Sequence, residues 1–136
     1  DRAVLADPLL WGLHVGFGWL ALGLLAYAAA ELGAGVAGTH ALHLILIGAV
    51  GTLTLVISLR LIRAQAREAQ RGDWKDGMVL ALVSLAALLR GGLPLVAQDW
   101  YGPAVAAGGA VWSVAMALAL AIYFPRLLGW REGKKT

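Results

Sequence analysis

Four long apolar stretches alternate with short polar ones along this chain, at about 9–31, 40–62, 77–97 and 103–125. Each is long enough to cross a bilayer, which takes roughly 20 apolar residues. Between them lie "ELGAGVAGT", the polar run "RAQAREAQRGDWKD" over 63–76 and "QDWYG", and the chain closes on the basic "RLLGWREGKKT". The pattern predicts an all-α integral membrane protein, a single domain over 1–136 with four transmembrane helices. Asp7 before Pro8 reads as an N-cap with proline in the first turn. Thr39 reads as a cap for the second helix.

Within the apolar stretches the polar residues are not scattered. In "ALHLILIGAVGTLTLVISLR", residues 41–60, a helical step of about 100° per residue gathers His43, Ile47, Gly51, Thr54 and Ser58 into one stripe, with His40 beside it. Ile45, Leu46, Ala49, Leu53 and Val56 cover the far side and are expected to meet lipid. The stripe is expected to face protein or something that protein holds. Two readings stay open: helix packing, where Gly, Ser and Thr allow close approach, and a cofactor or metal on His43. The first stretch repeats the pattern with His14, Gly18, Ala21 and Leu25. A glycine one turn from a histidine leaves a flat gap that suits a planar macrocycle or a neighbouring helix. Gly109, Ser113 and Met116 share a face of the fourth stretch, where Met116 reads as core.

Ionisable residues inside a membrane are costly and are functional candidates by default. Here they are His14, His40, His43 and Arg90. The first two helices run in opposite directions, which places His14 and His43 roughly 15–20 Å apart along the membrane normal at 1.5 Å per residue. That is too far for both to be axial ligands of one haem iron. His40 and His43, spaced i, i+3, form a candidate metal pair; the plain alternative puts His40 at a helix end among headgroups. Arg90 precedes "GGLP" and falls in the same half of the membrane as His43. A haem held by His43 with a propionate on Arg90 fits that placement. So does an Arg90 bound to carbonyls freed at Gly91–Pro94, or paired with Asp99 or Glu31.

Composition supports the membrane reading: 60% of the 136 residues are hydrophobic and 14% charged, with a mean hydropathy of +0.76. The absence of cysteine excludes disulfides, thiolate metal sites and c-type haem attachment. A pI near 9.7 suggests nucleic acid until the charges are placed. Arg2, the Arg60–Lys75 cluster and the Arg126–Lys135 tail, every basic residue except Arg90, fall on one side of the four spans. Lys and Arg stay cytoplasmic, so both termini are expected in the cytoplasm of a bacterial inner membrane, with no nucleic-acid partner. Trp11, Trp74, Trp130 and Tyr123 are expected at the cytoplasmic interface, Trp100 and Tyr101 at the outer one. The 63–76 loop reads as a solvated surface that meets anionic lipid. The chain opens at Asp1, which suggests that a leader or a larger N-terminal part precedes it. With no nucleophile–base pair, phosphate loop or paired carboxylates, an enzyme is the less favoured reading.

"DPLLWGLHVGFGWLALGLL", "HLILIGAVGTLTLVISLR" and "LAALLRGGLPL" resemble, in order and spacing, three motifs of the NnrS family of bacterial membrane proteins. The resemblance covers about Asp7 to Arg131. It implies haem b and copper as cofactors and a link to nitric oxide metabolism during denitrification. His14, His43 and Arg90 fall on motif positions, with Gly18 and Gly51 beside them; His40 lies just before the second motif. Members usually carry many more spans, and this chain corresponds to the last four. They also tend to show a "GHTGR"-like stretch after the second motif, where this chain has "IRAQAREAQRGDW" without a histidine. Three functions follow as expectations. The first is a b-type haem protein of the nitric oxide response. The second is an accessory subunit of a respiratory complex, such as a nitric oxide reductase or terminal oxidase, without a cofactor of its own. The third is a copper-handling element on His40 and His43. The partners expected are the lipid bilayer and other membrane subunits or a second copy of the chain.

Overall fold

The structure, a computed structural model, describes residues 7–133. Arg2, Lys134 and Lys135 of the expected cytoplasmic set lie outside the described residues, as do the side chains of Trp130 and Arg131. Four helices long and apolar enough to span a membrane follow one another: α1 Pro8–Glu31, α2 Gly38–Gln65, α3 Trp74–Val96, and α4 Tyr101–Gly133 after a short 3-10 turn at Gln98–Trp100. Asp7 caps α1, its carboxylate accepting from the Leu9 N–H at 3.0 Å. The turn after α1 uses Gly33 and Gly35 at φ 76° and 73°, a region open to glycine at little cost. Thr39 is not the cap of α2: the N-cap is Ala37, with no side-chain bond, and Thr39 lies inside the helix. α4 also continues past the expected end at 125, with Pro125 inside it. A proline removes one backbone donor, and spanning helices tolerate that where neighbouring groups compensate.

Glycine sets the packing of α1 on its neighbours. A Cβ at Gly12 would fall 2.8 Å from both Val56 and Leu80, and one at Gly16 would fall 2.6 Å from Leu53. Gly23 lies against Ile45, and Gly48 of α2 receives the Trp19 ring, 2.7 Å from where its own Cβ would stand. Such small-residue contacts let spanning helices approach where no hydrophobic effect drives them together. The Trp19 Nε1–H donates to Ser84 Oγ at 3.2 Å, tying α1 to α3. Two buried clusters result. Leu9, Val56, Leu59, Val79, Leu80 and Tyr123 fill the end near the 63–76 loop. Trp19, Leu44, Ala49 and Ala87 fill the other end. Outward positions such as Phe17, Leu25 and Leu120 are more than 60% exposed, the apolar surface that a bilayer requires.

Two of the helices are not α-helical throughout. α2 opens as α-helix over Gly38–His43, turns π-helical over Leu44–Gly51 and returns to α-helix at Thr52. α3 does the same over Leu88–Gly92. π-helical bonds run i→i+5 and occur most often at functional sites. This corrects the stripe expected on α2, because a wider turn advances fewer degrees per residue. Thr52, not Thr54, reaches the interior at 0% exposure, and Ala49 and Val56, expected to meet lipid, are buried at 1% and 0%. Ile47, Gly51, Thr54 and Ser58 do keep company, but on the wall of a groove of about 430 Å3 that opens between α2 and α4 opposite Trp112 and Met116.

Candidate functional site

The expected site residues, apart from Gly51 in the groove between α2 and α4, divide between two faces. His14, Gly18, Ala21 and Leu25 all point outward on α1. His14 Nδ1–H donates to the Leu10 carbonyl at 2.9 Å. A carbonyl can only accept, so this bond places the proton of a neutral ring on Nδ1. A Cβ at Gly18 would meet nothing within 4 Å. On its other side Gly18 borders a groove of about 460 Å3 between α1 and α3, over Trp19 and Ser84. The space above Gly18 is open, and no described residue covers it.

The second face forms where α2 begins, α3 ends and α4 begins. His43 is the last residue before the π segment of α2, and its Nδ1–H donates to the Thr39 carbonyl at 2.7 Å. Nε2 of His43 is again the free nitrogen, the form in which imidazole binds a metal. His40, one turn earlier, stacks on Tyr101 with ring centroids 5.5 Å apart and planes tilted by 54°. Arg90 stands in the middle of the π segment of α3. Glycines lock these elements together. A Cβ at Gly91 would fall 2.9 Å from the His40 carbonyl, and one at Gly108 of α4 would fall 3.1 Å from Arg90 Cβ and 3.2 Å from Arg90 N.

Neither of the plain partners expected for Arg90 reaches it. Among the described residues it forms no ion pair with Asp99 or Glu31 and no hydrogen bond to a freed carbonyl, and its buried Nη1 has no partner. His40 Nδ1 is likewise buried and unpartnered. His40 and His43 supply at most two ligands, and no group of three or more His, Cys, Asp or Glu that could hold a metal occurs among the described residues.

His14 and His43 do not meet. Gly12 lies against Val56, Gly16 against Leu53 and Gly23 against Ile45, so His43 stands level with the region of Leu25. At 1.5 Å per residue the two histidines are separated by roughly 16 Å along the helices.

A further cluster, at the opposite end of the bundle, is one that sequence reasoning missed. The 63–76 loop is not a simply solvated surface. Arg63, 5% exposed, pairs with fully buried Asp76 at 2.6 Å and with Asp73 and Glu68 at 3.3 and 3.5 Å. Arg126 of α4 reaches Glu68 at 3.4 Å and stacks on Tyr123 at 5.2 Å, and Tyr123 is buried beneath it. Asp73 and Asp76 form a capping box at the start of α3. Burial pushes the Asp73 carboxyl up, but the N–H groups of Asp76 and Lys75 and the Arg63 guanidinium outweigh it and hold it below its ordinary value. Asp7 joins α1 to the same loop, accepting from the Gly72 N–H at 2.8 Å. The visible signal was the aspartate pair three residues apart before an apolar run, a helix-start signature. Tyr101, read only as an interfacial ring, is the other residue missed.

The model of a family described as NnrS protein matches residues 1–131. No curated protein and no solved structure matches the chain.

Proposed function

This chain belongs to the NnrS family, and from that premise we propose that it is a b-type haem-binding protein of the bacterial inner membrane that acts in the nitric oxide response of denitrification. The single observation that carries the reading is the state of His43. Its Nδ1–H is held by the Thr39 carbonyl, which leaves Nε2 for iron, beside an Arg90 whose buried Nη1 has no partner. These residues fit the group. His43 would hold the iron through Nε2 and Arg90 would receive a propionate, a charge-assisted contact of the stronger kind. Bound haem supplies an iron whose reactivity is tuned by its axial ligand and the polarity of its pocket. The chain contributes the orientation of His43 and the cation at Arg90.

The orientation proposed places the 63–76 loop and both termini in the cytoplasm and His43 near the outer face, because Lys and Arg collect on the cytoplasmic side. His14, at another depth, serves a separate group or one completed by another subunit. Copper on His40 and His43 is the weaker assignment, since two ligands lie beside a guanidinium charge.

The outward His14–Gly18 face favours a second reading. A polar ring facing hydrocarbon is costly, so partner helices of a respiratory complex could cover it. The test is the absorption spectrum and pyridine haemochrome assay of the detergent-purified full chain. We expect a Soret band that His43→Ala abolishes and Arg90→Gln weakens. A haem-free protein whose metal content is unchanged by His43→Ala would remove the reading, and haem-free co-purification with a large catalytic subunit would replace it with the second.

A further inference from the structure

We propose that Arg90 and His40 form a built site for a planar carboxylate or small oxyanion, held between the π segment of α3 and the start of α2. The inference rests on the placing of the site at the His43–Arg90 end, but not on the presence of haem. Three observations carry it. Arg90 Nη1 and His40 Nδ1 are both buried without a partner, on segments pressed together at Gly91 and the His40 carbonyl. A guanidinium nitrogen can only donate, so what is missing is an acceptor, and a buried donor left unpaired costs about 1–3 kcal/mol, more when charged. Both are packed into the fold there: the backbone of Arg90 lies under Gly108, and the His40 ring lies against Tyr101.

The sign of the charge selects the ligand class. A metal cation placed at His40 would meet the guanidinium, whereas an anion is attracted by it and accepts from His40 Nδ1 when that nitrogen carries the ring proton. Arg presents a planar fork that matches a carboxylate or a trigonal oxyanion. His40, which lies outside the family motif, is on this account a binding residue, and Tyr101 is the residue that positions it. The same chemistry has two sources: a haem propionate, or a free anion reaching the end of the bundle.

The test is calorimetric titration of the full chain in detergent and chloride-free buffer, haem-free and haem-loaded, with acetate and nitrite as probes. Haem-free protein is expected to bind both. Arg90→Gln should weaken binding at least about tenfold, the size expected for one hydrogen bond to a charged group. His40→Phe, which keeps the stack on Tyr101, should weaken it several-fold, and Arg90→Lys should restore part of the loss. Binding that disappears on haem loading identifies the propionate as the natural occupant; binding that survives identifies a free anion. If Arg90→Gln fails to fold, His40→Phe carries the decision alone. No binding to haem-free protein, together with haem retention indifferent to both substitutions, overturns the proposal. A chain that never takes up haem but binds acetate through Arg90 overturns the haem reading and leaves this one standing.

Discussion

At the scale of single residues, what decides the local structure is where a side chain is absent. Gly91 and Gly18 lie in adjacent spanning helices and differ completely in what surrounds them. A Cβ at Gly91 would strike the His40 carbonyl at 2.9 Å, a backbone atom that cannot swing aside, while one at Gly18 meets open space. Gly91→Ala is therefore expected to destabilise the protein by about 1–3 kcal/mol, as overpacking does. Gly18→Ala should stabilise it by about 0.5–1 kcal/mol by removing glycine's excess chain entropy. Thermal unfolding of the two purified variants checks the contrast; equal shifts would contradict the packing described. Nothing in the letters distinguishes these glycines. Helical periodicity did bring Gly18 next to His14, and that adjacency held because α1 is an unbroken α-helix.

Among elements, the 63–76 connection matters more than its composition suggested. It lies folded over the helix ends, with Glu68 touching Arg63 of α2 and Arg126 of α4 and Asp73 capping α3. The charges were legible in the sequence; their partners were not, because Arg63 and Asp76 are paired by the path of the loop rather than by spacing along one helix. The same limit applied inside α2. A wheel drawn for uniform α-helix put Thr54 inside and Val56 outside, and the π segment over Leu44–Gly51 reversed that assignment. The loop gives a pH dependence with a definite sign. The Asp73 carboxyl is held below its ordinary value of 3.8, so its contribution to stability is full above about pH 4 and is lost as pH falls through its lowered folded value. Asp73→Asn keeps a competent cap and removes the charge. Between pH 7 and pH 3 the melting temperature of the variant should fall less than that of the parent. Parallel decline of the two would mean that Asp73 titrates as an ordinary carboxylate.

For the molecule as a whole, the apolar blocks specified the four spans to within a few residues, except for the extension of α4 beyond Pro125. They could not specify how the helices face each other, because a span that is apolar on every side carries little periodic signal. Orientation rests on charge and can be read directly in a chain without cysteine. Ala69→Cys in the loop should react with a membrane-impermeant maleimide only after cells are opened, and Asp99→Cys should react in intact cells. The opposite pattern would invert the protein and place His43 inside.

The two attachments of α4 have a further consequence. It is fastened at one end by Arg126 to the loop and at the other by Gly108 to the backbone of Arg90. Between these fastenings runs the groove walled by Gly51, Thr54, Trp112 and Met116. Held at both ends, the groove lies along the side of the bundle at the depth of the spans, so in a bilayer its mouth would meet lipid tails rather than either aqueous face.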